Sequence, residues 1–286
     1  MTQEDTTPVS FKLADGHDYV FNKSHMEACR LNLQHMLFRE VFQFSIHPSV
    51  QLPDSSSKPV KIVDVAAGTC LWMLDVAREI PTAQLDGTDN DLTKAPHASW
   101  LPDNVTMHSW NIFEDPPSSL VGKYDLVHVR LLVLVLSGGL DAKPVLRRFL
   151  QLLKPGGTLQ WDDLDCVNMH VRKVNPSVSA SALDEICTLS YSSGRHDWIL
   201  DLPQMLEAEG FQHAQIHYYS EGPTMTRAFN DLHMYTMDEF AASLMRLGKT
   251  EAAVNLYRLI EGGYKESSGG AALCIPRVVV VARRPE

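Results

Sequence analysis

Residues 60–80 constrain the fold more than any other segment. Val60-Lys61-Ile62-Val63-Asp64-Val65 is a β-branched run with one internal acid, the composition of a buried strand. A turn of small residues follows, Ala66-Ala67-Gly68-Thr69-Cys70. Leu71 to Ile80 then reads as a helix stopped by Pro81. A short strand that passes through a small-residue turn directly into a helix is the opening unit of a parallel sheet with crossover helices.

The rhythm repeats downstream. Gln84 to Thr88, Val105 to His108, Tyr124 to Val129 and Thr158 to Trp161 read as further strands. A helix from Ala142 to Leu153 is closed by Lys154-Pro155-Gly156-Gly157. Residues 164–200 look like loop and short helix. Pro203 to Glu209 reads as a helix, His213 to Tyr219 as a strand, and 225–264 as helical, rich in Met and Leu. Ile275 to Ala282 is a last strand. Ahead of the sheet, Met26, Cys29, Leu33, Met36, Leu37, Val41 and Phe44 recur at helical spacing, and Gln51 to Pro59 is a linker by composition. The expectation is an α/β fold: a Rossmann-like, mostly parallel seven-stranded sheet with helices on both faces, an N-terminal helical segment and a helical cap. No internal repeat and no second core are visible. The expected layout is a flexible 1–16 and one domain over 17–286. Within it, 17–50 is helical, 60–163 forms the cofactor-binding core, 164–270 supplies cap insertions and 275–282 closes the sheet.

Composition narrows the function. With 286 residues and 44% hydrophobic content, the chain can bury one large core. The longest apolar run, Val127 to Leu136, is interrupted by His128 and Arg130, so no membrane span is expected. No secretory signal is visible, and a cytoplasmic location is expected. The Asn22 and Asn104 sequons are then accidental. Five scattered cysteines without a C-x-x-C fit a reducing cytosol rather than a disulfide framework or zinc site. A net charge of −10 with basic residues in doublets at most argues against a nucleic-acid partner.

Three polar positions sit at successive strand ends, where open α/β sheets bind ligands. The turn after Asp64 lets the backbone approach a ligand closely. Asp89 ends the second strand, 25 residues after Asp64, where a carboxylate can accept both hydroxyls of a ribose. Asn111 follows the third strand, where a side-chain amide can bond an adenine amine.

These residues carry a resemblance. Arg30-Leu31-x-x-Gln34-His35, Val63 to Thr69, Gly87-Thr88-Asp89, Tyr124 to Arg130 and Leu153 to Leu159 resemble class I S-adenosylmethionine-dependent methyltransferases, and more narrowly the fungal secondary-metabolite methyltransferase group. The resemblance spans about Tyr19 to Asp165. It implies that the turn at 66–70, with Asp64, Ala66 and Gly68, holds the methionine part of the cofactor. Asp89 with Asn90 would hold the ribose, and Asn111 with Ile112 the adenine. Residues around His128 to Leu131 would line the methyl-donating end. The group's usual Gly-x-Gly-x-Gly turn is altered: Ala66 and Cys70 stand at the first and third glycine positions. If Cys70 needs positive φ, it is strained.

The implied reaction is methyl transfer to an O, N or S atom of a small, apolar or aromatic metabolite in secondary metabolism. His35, His128, Asp162 and His170 are the candidate catalytic groups, with His25, His196, Asp163 and Asp165 nearby in the same reading. Tyr19 and Arg130 are placed near the cofactor; an arginine there favours a carboxylate. His213-x-x-x-His217 lacks a third ligand, so no metal is expected. Met225, Met234, Met237 and Met245 read mostly as core. A homodimer stays open. Two rivals remain: a regulatory methyltransferase-like protein, similar to the velvet-associated regulator of fungal secondary metabolism, and a cofactor-dependent pericyclase.

Overall fold

A computed structural model describes residues 25–54, 58–136, 139–191 and 194–286. The readings at Tyr19, at the Asn22 sequon and over 1–16 lie outside the described residues. Strand alternation explains the architecture. In β1 (Lys61–Val65), Val63 and Val65 point to one face and Ile62 to the other. On the first face they join Val127 and Val129 of β4 (Tyr124–Arg130) and Leu159 and Trp161 of β5 (Leu153–Leu164). This layer packs against α3 (Gly139–Leu152) and α5 (Leu202–Ala208). On the second face Ile62, Leu126 and Leu85 lie under Trp72, Met73 and Val76 of α2 (Leu71–Glu79). Leu85 belongs to β2 (Gln84–Asp89). Helices therefore cover both faces.

Among the described residues the main sheet has seven strands, in the order β3-β2-β1-β4-β5-β9-β7. Here β3 is Val105–Ser109, β7 is Gln212–Tyr219 and β9 is Arg277–Arg283. The first five run parallel, and β9 is antiparallel to both its neighbours. The chain moves outward from β1 to β3, then restarts at β4 on the other side of β1. Strand order thus reverses between β1 and β4, the place where such sheets bind ligands.

Over that edge lie α1 (His25–Phe42) and a cap built from α4 (Ser181–Tyr191), α6 (Thr226–Arg246) and α7 (Thr250–Ser268). The cap also holds a two-stranded sheet of β6 (His170–Lys173) and β8 (Ala271–Cys274). No helix among the described residues is long and apolar enough to cross a membrane.

Several sequence expectations need correction. The stretch 164–200 is more ordered than its composition suggests, because β6 finds its partner about a hundred residues downstream in β8. The cap has apolar clusters of its own, one built on Leu183, Ile186, Met234, Leu259 and Leu273, where the sequence shows only one core. The helical 225–264 is two helices, parted at Gly248, whose φ of 73 permits the turn. The fifth strand starts earlier and ends later than Thr158 to Trp161. Helix α1 departs most. Its apolar positions Met26, Leu33 and Met36 are exposed, whereas Glu27 and Arg30 are buried. The buried polar face is held by ion pairs: Lys94 donates to Glu27 at 3.3 Å and Arg30 to Glu239 of α6 at 2.6 Å.

Candidate active site

The ends of β1 and β4 concentrate backbone strain. Ala66 (φ 57), Cys70 (φ 65) and Leu131 (φ 62) are left-handed without being glycine. Each costs on the order of 1–2 kcal/mol, and strain of this kind collects where function demands it. Cys70 therefore does adopt the positive φ that its glycine-like position implied. Gly68 shares the turn with φ +53, and a Cβ there would meet Leu31 of α1 at 3.6 Å.

A cavity of about 290 Å³ opens at this point. Asp64, Ala66, Gly68, Asp89, Asn90, Asn111, Ile112 and Arg130 line it, so the structure gathers these sequence candidates in one place. Asp89 Oδ2 accepts from the Gly68 N–H at 2.9 Å and Oδ1 from the Asp91 N–H at 3.0 Å. Each oxygen spends one acceptor site on these bonds and retains capacity for another. Asn111 Oδ1 accepts from the Phe113 N–H at 3.1 Å, which fixes the side chain and leaves its amide hydrogens available.

Sheet register builds a buried polar chain across this edge. Asp64 lies opposite His128, His128 opposite Gln160, and Arg130 opposite Asp162, all on the α2 side of the sheet. His128 Nδ1 meets Asp64 at 2.7 Å and Nε2 meets Asp162 at 3.1 Å. Its ring stacks on Trp72, with centroids 3.7 Å apart and planes within 2°. Burial alone would lower the imidazole pKa, but the Asp64 and Asp162 carboxylates outweigh it and raise the pKa above its ordinary value. Arg130 Nη2 donates to Asp162 at 2.6 Å, and its Nη1 lies 3.3 Å from His35 Nδ1. Burial opposes the Asp162 charge, yet Arg130 and His128 prevail and hold that carboxyl below the usual range. The four groups Asp64, His128, Asp162 and Arg130 sum to zero charge, which makes their burial tolerable.

His35 completes the chain by meeting Asp75 at 2.9 Å. Burial, then the Arg130 cation, lowers its pKa. His35 and His128 are therefore tied into the cavity wall, and Asp162 lies beneath that wall, fully buried. Asp163 is also fully buried rather than solvated. It accepts from Trp161 Nε1, Val133 N and Leu164 N, while burial pushes its carboxyl up to about 7. Asp165 is buried and turned onto Asn168. His170 is a correction: it is exposed on β6, held by the Asn168 carbonyl, and does not line the cavity. Strand β6 pairs with β8 in the cap, which carries His170 away from the strand ends. His25 is exposed as well. His217 lies against His47, with ring centroids 4.1 Å apart and planes tilted by 32°. Of the methionines, Met234 is buried core, Met237 lines the cavity and Met245 is exposed.

Sequence reading missed the far end of the cavity. Phe229, Leu232, His233, Thr236, Met237 and Phe240 form one helical face of α6, spaced by threes and fours, and all line it. Ser190 of α4 faces them, with Oγ 3.3 Å from His233 Nε2. Of this face the sequence singled out only Met237, as one of four methionines read mostly as core; the spacing of the others is that of any buried helix face. His196 lines the cavity too; burial lowers its pKa to about 4.

No protein-family model matches the chain. Among curated relatives, the methyltransferase grgD of a Penicillium species is 29% identical over 263 residues, covering 86% of this chain and 89% of the relative. The N-methyltransferase tcpN of Claviceps purpurea is 30% identical over 150 residues, covering 52% of this chain and 51% of the relative. A methyltransferase solved with the Haloferax volcanii activator Trm112 superposes with a TM-score of 0.50 at 12% identity, covering 91% of this chain and 96% of that one, a likeness of fold. The strand order and the cavity at the β1–β4 reversal fit the class I methyltransferase fold, and together with these relatives they support an S-adenosylmethionine-dependent methyltransferase similar to the curated fungal methyltransferases.

Proposed function

We propose that this enzyme methylates a nitrogen, oxygen or sulfur atom of a small metabolite in secondary metabolism. One observation carries the reading. A single cavity joins the polar strand ends at one extremity to an apolar lobe between α4 and α6 at the other. The Claviceps relative's name supports nitrogen among the three atoms.

The donor set at the strand ends fits the cofactor. Asp89 has spare acceptor capacity for the ribose hydroxyls, and Asn111 with Ile112 suits the adenine. The 66–70 turn, Asp64 and Arg130 supply backbone, a carboxylate and a guanidinium for the amino-acid part. When bound, S-adenosylmethionine supplies a methyl group already activated on a sulfonium. The protein's own residues position and shield. Arg130 and Asp64 are pre-set by His128 and Asp162. Helix α1, held by its Glu27 and Arg30 ion pairs, supplies one wall of the cavity through Leu31, Gln34, His35 and Phe38. Positioning of this kind can supply ~7–11 kcal/mol of a barrier.

Isothermal titration with S-adenosylmethionine and S-adenosylhomocysteine tests the first half. Dissociation constants on the order of micromolar, about 8 kcal/mol, are expected. Labelled-methyl transfer to small amines, phenols and thiols tests the second. A folded protein that gives no heat with either cofactor form would overturn the reading.

A further inference from the structure

The apolar lobe has one feature that core packing does not require. Within the α6 stripe, His233 is a titratable ring in an otherwise apolar or hydroxyl-bearing face. Its Nε2 is 3.3 Å from Ser190 Oγ, and Ser190 in turn donates toward Met237 Sδ at 3.8 Å. With the hydroxyl hydrogen directed to sulfur, Ser190 Oγ accepts from Nε2–H. Nδ1 then carries the lone pair, and it has no hydrogen-bond partner among the described residues. His233 is half-buried and lines the cavity. Burial lowers its pKa to about 4, so the ring is neutral at physiological pH and available as an acceptor.

The charges around the cavity point the same way. Arg30, Lys94, Arg130 and Arg277 are its cationic side chains among the described residues. Each is matched to a carboxylate: Glu239 at 2.6 Å, Glu27 at 3.3 Å, Asp162 at 2.6 Å and Glu221 at 2.6 Å. Arg277 is also covered by the Phe229 ring, 3.5 Å from its guanidinium carbon. With every cation already matched to a carboxylate, and Arg130 assigned to the cofactor, an anionic substrate gains little attraction to offset its desolvation. A neutral one carries no such cost.

Building on the methyltransferase reading above, we propose that the lobe takes a neutral, mostly apolar acceptor bearing an N–H or O–H, and that His233, set by Ser190, receives that hydrogen. The acceptor's lone pair forms the new bond to the methyl carbon. The carbon–sulfur bond returns its electron pair to sulfur. The acceptor's hydrogen leaves as a proton to His233 Nδ1.

The test is binding to the protein loaded with S-adenosylhomocysteine, by titration calorimetry. The probes are indole, indene (the same shape without the N–H), benzoate and phosphoethanolamine. Indole is expected to bind at least about tenfold more tightly than each of the other three. His233→Ala is expected to bring indole down to the level of indene, while S-adenosylhomocysteine affinity stays within about twofold. Ser190→Ala, which keeps the ring but frees its orientation, should weaken indole by a smaller factor and serves if His233→Ala does not fold. Tighter binding of benzoate or phosphoethanolamine, failure of all four probes on the loaded protein, or unchanged indole affinity in both variants would overturn the proposal. Failure to load S-adenosylhomocysteine at all would instead overturn the methyltransferase reading on which it rests.

Discussion

Asp89 offers the sharpest test of the cofactor assignment, and the structure changes what should be expected of it. Sequence alone suggests a strand-end carboxylate with little to do in the fold. In the structure it clasps two backbone N–H groups, those of Gly68 at 2.9 Å and Asp91 at 3.0 Å, and is only 9% exposed. It therefore fastens the strained β1–α2 turn to the end of β2. Hydrogen bonds to charged groups are worth about 1.5–3 kcal/mol each, and water reaching the half-buried Gly68 and Asp91 recovers part of that. Asp89→Ala should then lower the unfolding free energy by roughly 2–4 kcal/mol. Asp89→Asn keeps one acceptor oxygen and should lose about half as much. Affinity for S-adenosylhomocysteine should fall about 30- to 1,000-fold in the alanine variant, equivalent to ~2–4 kcal/mol. Asp91→Ala is the control. Asp91 Oδ1 caps the short helical turn Leu92–Lys94 through the Thr93 N–H, so its loss should cost about 1 kcal/mol of stability. It should change affinity less than about threefold. Urea unfolding and calorimetry on the same preparations separate the two effects. Equal weakening of affinity by both substitutions, or wild-type affinity in a folded Asp89→Ala, would show that the ribose is held elsewhere.

Three further outcomes are expected. The raised pKa of His128 stabilises the fold fully below its ordinary value near 6.5, and this contribution fades as pH rises through the raised value. The stability gap between wild type and His128→Gln in urea should therefore be widest in acid and narrow toward alkaline pH; a gap independent of pH would refute the buried imidazolium. At Ala66, φ 57 strains any side chain, so Ala66→Gly should raise the unfolding free energy by roughly 0.5–1 kcal/mol and the β-branched Ala66→Val should lower it by more than about 1. A more stable valine variant would contradict the left-handed turn. Arg277→Met should destabilise by about 3–5 kcal/mol because it strands the buried Glu221, and the double variant with Glu221→Leu should recover most of that loss, as read by thermal melting.

The sequence by itself determined the strand–turn–helix unit at 60–80, the sheet it begins and the strand-end positions Asp64, Asp89 and Asn111. Each follows from short-range pattern: β-branched runs, small turn residues and the offset from one strand to the next. Tertiary structure decided what distant residues do to one another. Asp64, His128 and Asp162 are 64 and 34 residues apart, and only the register of β1, β4 and β5 sets them in one hydrogen-bonded row. The face of α1 was misread for the same reason. Its apolar positions have the right period, but its polar side is drawn inward by Lys94 and Glu239, partners that lie 67 and 209 residues away. His233 was hidden in a stripe that any buried helix could carry. It becomes distinctive only when α4 brings Ser190 to its Nε2 at the cavity wall. Periodicity reports whether a helix or strand has two faces; which face is buried, and against what charge, depends on contacts that packing alone supplies.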